Sequence, residues 1–200
     1  MTRVVAGAAR GRRLAVPAGR GTRPTSDRAR EGLFSTLESM LGSLAGRRVA
    51  DLFAGSGAVG LEALSRGARH CLLVEVDGRA LRALRANVVA VGLPGADVRA
   101  LRVERIVAGA SGGPAYDVVF LDPPYELPDE QLRAVVTGLA DNHWLAPGSV
   151  VVVERATRDG AWVWPAGVTG ERARRYGETT LWYGRAAGQP DEVSAPSPGE

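Results

Sequence analysis

From residue 49 onward the chain alternates short apolar runs with segments whose apolar residues recur at helical spacing. The runs fall at 49–53, 71–75, 98–101, 118–122 and 150–154. Between them, Leu81, Leu84, Val88 and Val91 share one helical face, and Leu132, Val135, Val136 and Leu139 share another. Strands that are apolar throughout are buried on both faces, so their alternation with helices demands a mostly parallel sheet covered on either side. The pattern therefore predicts an α/β, Rossmann-like fold with helices on both faces. Residues 172–176 and 179–183, joined at Gly177-Glu178, predict an antiparallel hairpin that closes the sheet.

The chain before residue 49 has a different texture. Residues 3–16 alternate between apolar and polar positions around a turn at Gly11-Arg12, which predicts an N-terminal β-hairpin. A Pro/Gly-rich stretch at 17–24 follows, and Thr25 or Ser26 can cap a helix with Asp27 in its first turn. Leu33, Phe34, Leu37, Met40, Leu41 and Leu44 then fall on one face. This divides the chain into a basic arm at 1–24, a catalytic domain at 25–186 and a disordered tail at 187–200, rich in Gly, Pro, Ser and acidic residues. The net charge is only +3, and every basic residue is arginine. Distribution is more informative than the total: Arg3, Arg10, Arg12, Arg13, Arg20, Arg23, Arg28 and Arg30 face only Asp27 and Glu31 in the first 31 residues. Such an arm is a footprint for nucleic acid, and a solvated charged face explains it as well. No secretory signal or membrane-length apolar run is present, and the single cysteine, Cys71, sits in an apolar strand. A cytoplasmic protein without internal disulfides is expected.

Asp51-Leu52-Phe53-Ala54-Gly55-Ser56-Gly57-Ala58-Val59-Gly60 follows the first strand of the sheet and opens a helix. An open α/β sheet binds its ligand there, at the carboxyl ends of the strands. The next strand ends in Glu75-Val76-Asp77, where an acid can accept hydrogen bonds from two ribose hydroxyls. The spacing Gly55-x-Gly57-x-x-Gly60 also satisfies the dinucleotide fingerprint, so an NAD-binding oxidoreductase is a rival. Against it, Asp51 suits the amino group of a methionine moiety but would repel a pyrophosphate. No hydride-transfer constellation follows either.

The fourth strand runs into Asp122-Pro123-Pro124-Tyr125. Prolines cannot continue the ladder, so their carbonyls are expected to stay free and rigidly aimed. Exocyclic base amines are weak nucleophiles because the nitrogen lone pair is delocalised into the ring. A carboxylate from Asp122 and the carbonyl of Pro123, both accepting from the NH2 group, would favour pyramidal nitrogen. Tyr125 offers an aromatic face to a base taken out of its stack. A plain Pro-Pro turn with a surface Asp and a packed Tyr is the structural alternative.

Asp51 to Gly57 followed by Asp122 to Tyr125 resembles the amino-directed class I methyltransferases. Arg3-Val4-Val5-Ala6-Gly7, Arg10-Gly11-Arg12-Arg13-Leu14 and Arg23-Pro24-Thr25-Ser26-Asp27-Arg28-Ala29-Arg30-Glu31 narrow the resemblance to the bacterial guanine-N2 methyltransferases of guanine 966 in 16S ribosomal RNA. The resemblance spans about residues 3–185. It implies a seven-stranded methyltransferase sheet with an N-terminal hairpin extension, and S-adenosylmethionine as cofactor. Its implied partner is 16S RNA in a whole or partly assembled 30S subunit, with no membrane, no metal and a monomeric enzyme. It places the methionine moiety near Asp51, Phe53, Gly55 and Gly57, the ribose on Glu75, and the adenine along Val76, Asp77 and Val103. Asp122, Pro123 and Tyr125 would hold the guanine; Arg10, Arg12, Arg13, Arg23, Thr25, Asp27, Arg28 and Arg30 would face the RNA. One departure concerns the adenine amino group, for which such enzymes often carry Asp or Asn after the third strand. Here Arg102 cannot accept, which leaves Glu104, the backbone or no such contact at all.

His70 and His143 lack metal-ligand spacing and read as structural or exposed, and no Cys/His/acid cluster suggests a metal. Trp144, Trp162, Trp164 and Trp182 read as packing of the C-terminal half. Three other classes are weighed: an RNA-binding assembly factor without cofactor, a protein-glutamine methyltransferase and a DNA methyltransferase. The chain has no room for the separate substrate or target-recognition domain that the last two carry.

Overall fold

The computed structural model describes residues 2–17 and 27–187. The expected cap at Thr25 or Ser26, together with Arg20, Arg23 and the tail from 188, lies outside the described residues. Near the N-terminus, β1 (Thr2–Arg3) and β2 (Arg13–Leu14) pair antiparallel, with Thr2 opposite Leu14. The hairpin is thus minimal, two residues per strand. Its remaining backbone bonds run across the loop, from Val4 N to the Arg12 carbonyl and from Gly11 N to the Val4 carbonyl.

The main sheet contains β3 (Arg48–Asp51), β4 (His70–Val74), β5 (Ala96–Arg99), β6 (Tyr116–Leu121), β7 (Leu145–Ala156), β8 (Val168–Tyr176) and β9 (Thr179–Ala186). Their order across the sheet is β5-β4-β3-β6-β7-β9-β8, and only β9 runs against the rest. The order reverses between β3 and β6, which makes the crevice beyond their carboxyl ends the switch point of the fold.

Successive strand residues point to opposite faces, and the sequence supplies apolar side chains for both. Val49, Cys71, Val118, Phe120, Val150 and Val152 pack in one core with α1 (Asp27–Leu41), α2 (Ala58–Ser65) and α3 (Gly78–Val91). Ala50, Leu72, Val119, Leu121, Val151 and Val153 pack in the other with α4 (Val103–Val107) and α5 (Asp129–Asp141). Trp144 and Trp162 are buried in that second core, and Trp164 and Trp182 pack against it. Two expectations shift. The run at 98–101 forms β5 earlier, at Ala96–Arg99, where these four residues pair with Cys71 to Val74 of β4. Val103, expected along the adenine, opens the short helix α4.

All eight residues of α2 are buried, including Glu62 and Ser65 on the side away from the sheet. The N-terminal arm covers them. Glu62 accepts from Val5 N at 2.7 Å, Ala6 N at 2.9 Å and Arg66 Nε at 2.9 Å. Ser65 contributes its carbonyl to Ala8 N and its hydroxyl oxygen to Ala9 N. Arg30, expected at an RNA-facing edge, is instead fully buried. Its Nη2 donates to Asp27 at 2.8 Å and to the Arg3 carbonyl, and its Nε lies 3.7 Å from Glu62. Arg30 therefore ties α1 to the arm and to α2, and its guanidinium is withdrawn from solvent.

Removing one partner of a buried ion pair strands the other charge, at a cost of about 3–5 kcal/mol, whereas an apolar pair of similar volume is often neutral. Glu62→Ala should lower the unfolding free energy by that amount in denaturant titration, and Glu62→Leu/Arg30→Met should recover the part due to the stranded Arg30 charge, while the bonds from Val5 N, Ala6 N and Arg66 to Glu62 stay lost. A double variant as unstable as the single one would contradict the clamp.

Candidate functional site

A cleft of about 370 Å³ opens at the carboxyl ends of β3, β4 and β6. It is lined by Asp51, Phe53, Gly55, Glu75, Val76, Asp77 and Val103, and also by Asp122, Pro123 and Tyr125. Two motifs some seventy residues apart in sequence therefore meet in one cavity, because β3 and β6 are hydrogen-bonded neighbours.

The glycine loop is braced from both sides. Gly55 N donates to Glu75 at 2.8 Å. The other oxygen of Glu75 accepts from Val76 N and Asp77 N, both at 2.7 Å. These bonds lock the carboxylate at the end of β4 against the loop. Gly57 differs from the expected cofactor contact: it is buried, does not line the cleft, and starts α2 at φ 81°. A Cβ there would lie 2.4 Å from Leu84 Cδ1, so both conformation and space require glycine. At Gly60, a Cβ would lie 2.4 Å from Leu73 Cδ2 and 2.7 Å from Cys71 Sγ. That close approach lets α2 sit directly on β4.

Asp51 is the electrostatic centre of the cleft. It is buried, Oδ2 accepts from Gly60 N at 3.0 Å, and Oδ1 has no hydrogen-bond partner among the described residues. Burial pushes its carboxyl up to about 7; the Gly60 N–H opposes that shift and the Glu75 charge adds to it. A sealed carboxylate with an empty acceptor position is built to receive a positive, hydrogen-bond-donating group.

Asp77 caps α3 by accepting from Arg79 N and Ala80 N, both at 2.9 Å, and these bonds hold its carboxyl below the usual range. Its side chain thus serves the helix, and the neighbouring Val76, 60% exposed, offers a bare apolar surface to the cleft. Leu101, exposed, and Val103, buried, add apolar lining from beyond β5. Arg102 and Glu104 line the same end.

On the other side, Asp122 is half-buried, Pro123 buried, and Tyr125 48% exposed. Only one of the two proline carbonyls behaves as expected. The Pro124 carbonyl accepts from Leu127 N at 3.0 Å and closes the turn. Among the described residues no backbone N–H is donated to the Pro123 carbonyl in that turn. Asp122, Pro123 and Tyr125 line this end of the cleft.

The arm reaches the cleft through a contact absent from the sequence reading. Asn87 on α3 accepts from Ala15 N at 2.7 Å and donates to the Ala15 carbonyl at 2.9 Å and the Ser56 carbonyl at 2.8 Å. This one side chain joins the arm to the glycine loop and sets Val16 and Pro17 in the cleft wall. No periodicity or motif marks Asn87, since its partners are 72 and 31 residues away. Of the expected RNA-facing residues, Arg10, Arg12, Arg13 and Arg28 are exposed. Arg12 also donates to the Ala90 carbonyl at 2.5 Å, at the end of α3. Asp27 is partly exposed and engaged with Arg30, while Arg23 and Thr25 lie outside the described residues.

The profile of a family described as Conserved hypothetical protein 95 matches residues 2–185. The chain is 35% identical over 191 residues to Ribosomal RNA small subunit methyltransferase D of Escherichia coli (strain K12), covering 94% of this chain and 93% of that protein. It is 37% identical over 154 residues to the Putative rRNA methyltransferase YlbH of Bacillus subtilis (strain 168), covering 76% and 81% respectively. Among solved structures, it superposes on the putative methyltransferase yhhF from Escherichia coli with a TM-score of 0.82 at 32% identity, over 94% of this chain and 99% of that one. Sequence and fold agree along nearly the whole length, and the chain belongs to the Conserved hypothetical protein 95 family, as a relative of the ribosomal RNA small subunit methyltransferase D proteins.

Proposed function

We propose that the chain transfers a methyl group from S-adenosylmethionine to the exocyclic N2 of a guanine in 16S ribosomal RNA. It acts as a cytoplasmic monomer, without a metal, on the whole or partly assembled small ribosomal subunit. The observation that carries this reading is the single cleft joining Asp51 and Glu75 to the Asp122–Tyr125 turn. The relatives named as small-subunit ribosomal RNA methyltransferases supply the substrate class.

The residues present fit the cofactor. Asp51 Oδ1, buried without a partner, suits the ammonium of the methionine moiety. Glu75 suits the ribose diol, and Val76 with Val103 suits the adenine faces. When bound, adenosylmethionine supplies a methyl group activated by a sulfonium centre. Asp122 and the Pro123 carbonyl accept from the guanine amino group and direct its lone pair, and Tyr125 holds the base by its ring face. Asp122 or solvent then takes the proton that the amine gives up. Catalysis arises mainly from holding the amine in line. The exposed Arg10, Arg13 and Arg28 bind RNA phosphates, with no base recognition required of them.

The test is tritiated methyl transfer to unmethylated small subunits, free 16S RNA and duplex DNA. Label recovered as N2-methylguanine from the RNA of the particle is expected. Label in protein, or in no nucleic acid despite cofactor binding, would overturn the RNA assignment. Asp122→Ala should lower kcat by at least about 10²–10³-fold, the usual loss for a group that acts in the transition state, with cofactor affinity retained. A parallel loss of cofactor affinity would move Asp122 to the cofactor side.

The raised carboxyl of Asp51 has a stability consequence with a definite sign. A group whose folded pKa lies above its unfolded value stabilises most at low pH, and that contribution is lost as pH rises from about 4 through about 7. Without cofactor, Asp51→Asn should therefore melt higher than wild type at pH 8, and the gap should shrink towards pH 5. With saturating cofactor the order at pH 8 should reverse. An unchanged gap across pH would show that Asp51 is not the strained group.

A further inference from the structure

The carboxyl edge of the sheet continues past the cleft. Ala156 at the end of β7 and Tyr176 at the end of β8 both stand opposite Thr179 of β9. Since β8 runs parallel to β7, the two strands deliver their last residues to the edge that carries Asp51 and Asp122. A second concavity of about 480 Å³ opens there, lined by Tyr125, Ala156, Thr157, Arg158, Arg175 and Glu178. Tyr125 lines the first cleft as well, so one aromatic side chain is the wall common to both.

The second cavity is arginine-rimmed, and its arginines are set differently from those that build the fold. Arg155, near the end of β7, is buried and bound to Asp129 at 2.8 Å. Arg158 is 83% exposed, and its contact with Asp159 is a long 3.9 Å; that same Asp159 also lies 3.8 Å from Arg155. Arg175 lies on the exposed strand β8, and its Nε donates to the Gly177 carbonyl at 3.0 Å, which fixes it at the β8–β9 turn. Two guanidinium groups beside an aromatic wall match a phosphodiester, which planar N–H forks bind bidentately. A guanine drawn out of its stack brings its strand with it, and contacts to the flanking backbone offset the unfavourable unstacking.

We propose that this second cavity is a nucleotide subsite that holds the RNA strand next to the target guanine, with Arg158 and Arg175 on its phosphates and Tyr125 partitioning it from the target base. The subsite rests on the reading of the protein as an RNA methyltransferase. In the direction across the sheet, cofactor, target amine and flanking strand then lie in sequence over β4, β6 and β7–β8. Arg172 and Arg174, on the same exposed strand, stand opposite Tyr183 and Leu181 of β9, which lie in the core shared with α1, and so belong to its other face.

The experiment compares Arg158→Ala/Arg175→Ala with Arg172→Ala/Arg174→Ala, which removes the same charge from that other face. Methyl transfer to the unmethylated small subunit is measured against salt, together with cofactor affinity. The first double variant should raise the KM for RNA about 10-fold or more, with kcat and cofactor affinity within about twofold. Its slope of log KM against log salt should fall by roughly 1.4, the loss of two single-strand phosphate contacts. Arg158→Lys/Arg175→Lys should restore most of that slope, which a folding defect would not permit. An unchanged KM in the first variant, or equal losses in both, would overturn the subsite while leaving the methyltransferase reading intact. A wild-type protein that labels no RNA would remove both.

Discussion

A carboxylate sealed at the end of a central strand, one oxygen held by a helix and the other without a partner, is unfavourable until a cation arrives. Among the described residues, Asp51 is such a group. Much of the site follows from how it is held. The Gly60 N–H reaches it only because α2 packs tightly on β4, and that packing needs the bare Gly60 facing Cys71 and Leu73. Glu75 then fixes the Gly55 amide from the next strand, so the loop has a defined shape before any ligand binds. Preorganisation of this kind limits the reorganisation that binding must otherwise drive.

The arm belongs to the same construction. Glu62 and Arg30 place two charges in the interior where apolar residues would pack as well, and the gain is positional. Their bonds to Val5, Ala6 and Arg3 bring a basic strand pair across α2, and Asn87 carries it on to the wall of the cleft. The glycine loop and the basic arm therefore share one side chain, through the Ser56 and Ala15 carbonyls. The ends of β6, β7 and β8 extend that edge in the other direction, where the proposed second subsite lies.

The fold was legible because both faces of the strands are apolar and the helices keep their period. Leu132, Val135, Val136 and Leu139 are all buried, as their spacing requires. The motifs were legible because glycines and prolines mark backbone that side-chain statistics cannot hide. What local reading missed depends on distant partners. Arg30 looked like a surface cation because nothing near it in sequence announces Glu62, 32 positions on. Gly57 looked like a ligand contact, and its place is set instead by Leu84 behind it. Pro124 looked like a free carbonyl until Leu127 closed the turn. The second cavity assembles from three separate segments, and only the one that brings Tyr125 carries a motif.

The most direct measurement is the proton balance of cofactor binding, read by calorimetry at about pH 6 in buffers of different ionisation enthalpy. Asp51, with its carboxyl near 7, is mostly protonated there before binding, and pairing with an ammonium should ionise it. The account predicts release of close to one proton per adenosylmethionine bound, and essentially none for Asp51→Asn, which should also bind more weakly. Binding with no proton released by the wild type, or with equal affinity and equal release in the variant, would contradict the central role given to Asp51.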